Sequence, residues 1–275
     1  MRIEMFKNMK LKTKLIAAFL SVGIIPFAIL SIFSLYQVEK ALNKQIFSQL
    51  VSIRDIKKLQ VENYLKTIQS QIITFSENAM IVDAMCTFNH AYGTFIDENR
   101  LNQKNLNTMQ SKLKTYYMND FSNAYRQQNE GRSSHVDRLF EQIDETAVAL
   151  QYFYIKDNSN PLGSKDYLNK ALDGSTYSDR HGHFHPIIRS YLKKFGYYDI
   201  FLVNAETGKI VYSVFKELDY ATSLKNGPYA DTGIGEAFRM SNSASSPDFV
   251  GFTDFKQYLP SYDAPAGFVS SPIYI

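Results

Sequence analysis

Among its 275 residues the chain has one cysteine, Cys86, and so no possibility of a disulfide within itself. That leaves either a bridge between chains or a buried, inert thiol, and the second is expected. There is no nucleophile elbow, no phosphate-binding glycine loop and no paired-cysteine motif, which removes the main signatures of hydrolases, nucleotide-binding proteins and thiol redox proteins. The run GIGEA at 233–237 does not amount to a phosphate loop. A formal net charge of +3, owed largely to the N-terminal flank, provides no basic surface for nucleic acid. Internal repeats and long low-complexity stretches are also missing. No enzyme activity and no cofactor are expected from these residues.

What is present begins with a long apolar run. Leu15 to Tyr36 reads LIAAFLSVGIIPFAILSIFSLY, 22 residues without a charge. As a helix it would rise about 33 Å, enough to cross a hydrocarbon core of roughly 30 Å, and Pro26 is tolerable within such a span. Ahead of it Arg2, Lys7, Lys10, Lys12 and Lys14 face a single Glu4. Short basic flanks stay on the cytoplasmic side, so residues 1–14 are read as cytoplasmic, 15–36 as the transmembrane helix and the bulk as extracytoplasmic. A cleaved signal peptide has a shorter core and a small-residue cleavage site; here SIFSLYQVEK runs directly into helical sequence, which favours an uncleaved anchor.

Residues 37–182 are read as mainly helical. Leu65, Ile68, Ile72, Phe75, Ala79 and Val82 alternate steps of three and four, which predicts one long helix continuing from the membrane. That stripe is either a core face within one subunit or a seam in a homodimer. Gly93, Gly131 and Ser133-Ser134 are expected breaks, and Val136, Leu139, Phe140, Ile143, Ala147 and Leu150 form a second stripe. The period then changes. QYFYI at 151–155 reads as a short strand, KDNSNPLGSKD as a loop, and a helix is expected from Pro186 to Gly196.

From Tyr197 the pattern is that of strands. YYDIFLVN, a turn at Ala205-Glu206-Thr207-Gly208 and KIVYSVF make a hairpin. A short helix around Tyr229 to Met240 follows, and FVGFTDF and AGFVSSPIYI read as two strands joined by a Pro, Tyr and Asp-rich loop. The fold class expected is therefore α+β, with an antiparallel sheet over 183–275 following the helices. Because the sequence stops at Ile275 in the middle of an apparent strand, a fragment is expected, with an incomplete sheet.

A pocket for a small polar molecule needs a few convergent polar groups among aromatics, since each buried polar group left unpaired costs about 1–3 kcal/mol. Tyr198, Asp199 and Tyr212 lie on the hairpin, Lys216 and Asp219 follow it, and Tyr229, Asp254, Tyr258 and Tyr262 belong to the later elements. Along a strand Tyr198 and Asp199 face opposite sides. The tyrosines are equally fit to be core residues, and the acids to cap turns. Arg189 and Lys216 suit a ligand carboxylate, or an ion pair with a neighbouring Asp. His181, His183 and His185 would point to one side of an extended segment, as metal ligands do, but no cysteine or second histidine cluster completes a site, and a solvent-facing loop is the preferred reading.

The segments HFHPIIRSYLKKFGYYDIFLVNAETGKIVYSVFKELDYATSLKNGPYA and FTDFKQYLPSYDAPAGFVSSPIY together resemble the Cache-type sensor region of bacterial methyl-accepting chemotaxis proteins and related transmembrane receptors. The likeness covers roughly 183–274, about a third of the chain. It implies a PAS-like antiparallel sheet mounted on a long helix in the bacterial inner membrane, with a small-molecule ligand held between sheet and loops. Amino-acid-binding members carry Arg, Trp and Tyr before the short helix; Lys225-Asn226-Gly227-Pro228-Tyr229 keeps only the Tyr. Asp254 in FTDF matches the acidic position where the family can hold a ligand ammonium. The same kind of ectodomain also serves membrane-bound cyclases and histidine kinases, and a membrane-anchored protein-binding module is the remaining alternative.

Overall fold

The computed structural model of the chain describes residues 10–275. Of the basic flank, Arg2, Glu4 and Lys7 lie outside the described residues. The described chain divides into two compact units between Thr67 and Ile68.

Helix α1, Leu11–Ser76, is continuous and contains Pro26. Within it lies a stretch long and apolar enough to cross a membrane, none of it buried. The first unit consists of the part of this helix up to Thr67. Beyond the apolar run its aliphatic residues, among them Leu42, Leu50, Ile53, Ile56 and Leu59, are all exposed.

The second unit opens with residues 68–76. The chain then breaks at Glu77 and Asn78, and the Asn78 side chain accepts the Met80 N–H to start α2, Ala79–Glu98. The stripe expected to run unbroken through Ala79 and Val82 therefore ends at Phe75. Ala79 is exposed, and the buried face of α2 is Ile81, Ala84, Met85, Phe88, Ala91, Tyr92 and Phe95. Gly93 lies inside this helix and does not break it. Cys86 is exposed, not buried as expected, because it lies on the face of α2 opposite that stripe.

Next come α3, Gln103–Thr115, a π-helical segment at Tyr116–Phe121 and α4, Ser122–Gln128. The break expected at Gly131 and Ser133-Ser134 is real: Glu130, Gly131 and His135 all adopt left-handed backbone. Two short helices follow, α5 at Val136–Phe140 and α6 at Glu145–Gln151. The run read as a strand at 151–155 is instead π-helical at Tyr152–Lys156, with the Asp157 N–H reaching the Tyr152 carbonyl at 2.7 Å. Its aromatic and β-branched composition yields to packing, since Tyr154 and Ile155 are adjacent yet both fully buried, which alternation in a half-exposed strand forbids.

Helix α7 runs Thr176–Phe195 and ends on Gly196 in the left-handed conformation. The end is where the sequence puts it; the start is ten residues earlier than Pro186. The Ser175 side chain accepts the Ser178 N–H and caps the true start, so Pro186 sits in mid-helix. Helix α7 packs on α2, with Phe88 against Tyr177 and Phe184.

The strands form three separate two-stranded antiparallel pieces, not one sheet. Strand β1, Phe201–Val203, pairs with β2, Ile210–Ser213, through the expected turn, where Gly208 has φ of 69°. A Cβ on Gly208 would stand 2.8 Å from the Lys225 nitrogen, so glycine is required there for space as well as for φ. Helix α8 follows at Gly233–Asn242. Strand β3, Gly251–Phe252, pairs with β6, Val269–Ser270; each covers only two residues of the longer runs FVGFTDF and AGFVSSPIYI read as strands. Between them lies a second hairpin, β4 at Lys256–Tyr258 with β5 at Ala264–Ala266, where the sequence suggested only a loop. Residues 271–275 carry no strand. The architecture is thus α+β and dominated by helices, and the core to which α2 and α7 contribute also takes in β2 and the loop after it.

Candidate functional site

The loop after β2 collects the titratable groups. Asp199 staples it: the Ile200, Val214 and Phe215 N–H groups donate to one carboxylate oxygen at 2.6, 2.9 and 3.0 Å, and the Ser213 hydroxyl donates to the other at 2.9 Å. Burial nonetheless pushes its acid up from the usual carboxylate range. Tyr198, its neighbour, turns outward, stacks on Phe215 and donates to Glu217 at 2.7 Å. The pair precedes β1 and lies outside any strand, so the alternation expected of it does not apply; both side chains engage residues 213–217, and Asp199 serves the backbone.

Lys216 adopts left-handed backbone and is buried, 1% exposed. Its ammonium donates to the Ser213 and Val214 carbonyls at 2.6 and 3.2 Å and lies 5.7, 5.2 and 5.8 Å from the ring centres of Tyr154, Tyr212 and Tyr220. No ion pair reaches it among the described residues, so the Asp pairing weighed from sequence is not made. Desolvation holds its pKa below the ordinary lysine range, partly offset by the Asp199 charge.

Against this cage lie His181 and His185, stacked at 4.4 Å on the inner face of α7. They are four apart in a helix, so they share that face while His183 points to solvent. The extended, solvent-facing loop read from the sequence is overturned by the earlier helix start. His185 Nε2 meets the Asp166 carbonyl at 2.7 Å and must donate, so Nδ1 accepts from Tyr212 at 2.8 Å. By the same logic His181 Nδ1 donates to the Asn169 carbonyl at 2.6 Å, and Nε2 is left as a buried acceptor without a partner. Burial, then the Lys216 charge, push both rings down, His185 to about 2, so both are neutral. No grouping of metal-ligating side chains exists among the described residues.

The second focus is Asp219, fully buried. One carboxylate oxygen accepts the Tyr258 hydroxyl at 2.6 Å; the other, Oδ1, has no partner among the described residues. The Tyr229 hydroxyl is also buried without a partner, and its ring lies 6.0 Å from that of Tyr258. Burial first, then the Asp199 charge, push the Asp219 acid up to about 7. Glu217, half-buried, is raised as well, by burial and by Asp219. Behind them the Tyr117 hydroxyl donates to Gln151 at 2.7 Å, and Gln151 donates to the Leu218 and Tyr220 carbonyls at 3.0 and 2.6 Å, which fixes the loop from the helical side.

Of the residues singled out from sequence, the fold brings together Asp219, Tyr229 and Tyr258, with Lys216 and Tyr212 in the adjoining cage. Three others stand apart. Asp254 is exposed, and among the described residues its carboxylate accepts only the neighbouring Phe255 N–H at 2.8 Å. Arg189 donates to the Asp166 carbonyl at 2.6 Å and covers Tyr167. Tyr262 occupies a left-handed turn and stacks on Phe121 at 5.0 Å. Sequence reasoning missed Glu217, Tyr117, Gln151, His181 and His185 as members. The signal for Glu217 was available in the run Lys216-Glu217-Leu218-Asp219, three charges in four residues between apolar segments; Tyr117 and Gln151 come from distant helices and carried none.

No protein-family profile, curated protein or solved structure matches the chain.

Proposed function

We propose that the chain is the membrane-anchored, extracytoplasmic sensing part of a bacterial receptor of the Cache-bearing chemoreceptor type. In this reading a small molecule with hydrogen-bond donors binds at Asp219, Tyr229 and Tyr258, and its binding is relayed across the inner membrane to a cytoplasmic signalling domain outside these 275 residues. The observation that carries the reading is the pair of buried polar atoms without partners, Asp219 Oδ1 and the Tyr229 hydroxyl. Buried polar atoms are almost always satisfied, and each left orphaned costs about 1–3 kcal/mol, so a ligand that meets them recovers that loss. The candidate span in α1, its basic flank and the likeness over 183–274 support the membrane and receptor parts. Signalling requires the ligand to prefer one of two states of the chain.

The test is a thermal-shift screen of the detergent-solubilised chain against amines, amino acids and carboxylates. A ligand specific to the native state raises the midpoint. Tyr229→Phe is expected to abolish that shift while making the ligand-free protein more stable by about 1 kcal/mol, because it removes an unsatisfied hydroxyl. A screen in which no hit loses its shift in either Tyr229→Phe or Asp219→Asn would overturn the assignment of the site.

The exposed aliphatic residues between Val38 and Leu65 favour one further partner, a second copy of the chain packed along the same helix. Sedimentation of the solubilised chain as a monomer would refute it.

A further inference from the structure

Away from that site a groove of about 490 Å³ opens among the helices. Both π-helical segments contribute to it, Tyr116 and Asp120 from the first and Lys156 from the end of the second. Such segments are rare and recur at functional sites. The wall opposite is the loop 157–165, which is internally fixed. Asn158 donates to the Tyr154 and Lys165 carbonyls at 2.9 and 3.0 Å and accepts from the Asn160 backbone and side chain at 3.0 and 2.9 Å. Lys165 in turn donates to the Asn158 and Asn160 carbonyls at 2.7 and 2.6 Å.

The charges in the groove do not balance. Lys165 is 7% exposed, faces the Tyr116 ring at 6.0 Å and pairs with no carboxylate among the described residues. Burial and then the Lys156 charge hold it below the ordinary lysine range. Lys156 is half-buried and makes neither an ion pair nor a side-chain hydrogen bond among the described residues, and Gln127 and Ser159 are equally uncommitted. Against two cations the lining offers one carboxylate, Asp120.

We propose that this groove binds a monosaccharide acid, with the carboxylate on Lys156 beside Lys165 and the ring hydroxyls on Gln127, Ser159 and Asp120. A single carboxylate fits better than a phosphate. Lys165 already uses two of its three protons on backbone carbonyls, and the lining has no guanidinium fork to hold a doubly charged group. The uncommitted amide, hydroxyl and carboxylate suit hydroxyls, which both donate and accept.

Calorimetric titration of the full chain in detergent with D-galacturonate and D-glucuronate tests this, with D-galactose and inorganic phosphate as controls. At least one of the two acids is expected to bind saturably, and Lys156→Gln to weaken it about tenfold or more, the worth of one charge-assisted hydrogen bond. Galactose is expected to bind at least that much more weakly than the acid. Binding is expected to persist in Asp219→Asn, which separates this groove from the first site. Absence of saturable heat with both acids, tighter binding of phosphate or galactose, or an unchanged affinity in Lys156→Gln with the circular dichroism of the wild type would each overturn it.

Discussion

Asp219 is the buried acid on which the candidate site turns. Its acid is raised to about 7 by burial and by Asp199, and it faces Tyr258, while Glu217 and Tyr229 feel its charge. A raised acid binds its proton more tightly in the folded chain than in the unfolded one. Its contribution to stability is therefore fully present below the ordinary Asp range, near pH 4, and is lost as pH rises through about 7. Asp219→Asn keeps an oxygen for the Tyr258 hydroxyl and removes the titration. Relative to wild type the variant is expected to gain about 2 kcal/mol between pH 5 and 8. Denaturant unfolding at the two pH values measures this, and a constant difference would contradict the burial of the charge. The proton also bears on recognition, since only the ionised acid offers both oxygens as acceptors.

At the scale of elements, the β1–β2 hairpin and the loop after it depend on Asp199. Replacing it by Ala strands the Ile200 and Phe215 N–H groups and a serine hydroxyl, and leaves the Val214 N–H only the Ile200 carbonyl at 3.2 Å, so Asp199→Ala is expected to cost about 3 kcal/mol in chemical unfolding. A loss under about 1 kcal/mol would mean that water replaces the carboxylate. The same hairpin shows what the sequence discloses. Gly208 and Gly196 mark a turn and a helix end because both need left-handed backbone, a demand local enough to read directly. Tyr152–Lys156 and Pro186 misled for the opposite reason. Strand-like composition and a helix-starting proline are weak local preferences, overruled by the burial of Tyr154 and Ile155 and by the cap at Ser175. Residue types at the candidate site were legible, since Asp219, Tyr229 and Tyr258 stood out as polar and aromatic groups among strands. Which of them meet was not, because the loop is fixed by Tyr117 and Gln151, 101 and 67 residues before Leu218 in the sequence.

For the molecule as a whole, the apolar stretch of α1 is the proposed anchor. The chain is expected to stay with membranes through an alkaline carbonate wash, and a deletion of residues 15–36 to be released by it. Release of the intact chain would show that those residues act otherwise, as a cleaved leader or as a face covered by protein.

The density of buried phenols has an optical consequence. With 19 tyrosines and no tryptophan, the near-ultraviolet absorbance and emission of this chain belong to tyrosine. Tyr92, Tyr177, Tyr212, Tyr220, Tyr229 and Tyr258 are held well above their ordinary pKa, burial being the first cause for each. They cannot lose a proton while the core stays closed. In an alkaline titration the exposed phenols are expected to develop phenolate absorbance first and reversibly, and the buried set to follow in one late step together with loss of circular dichroism. The chain thus carries its own unfolding indicator, readable without any added dye or label.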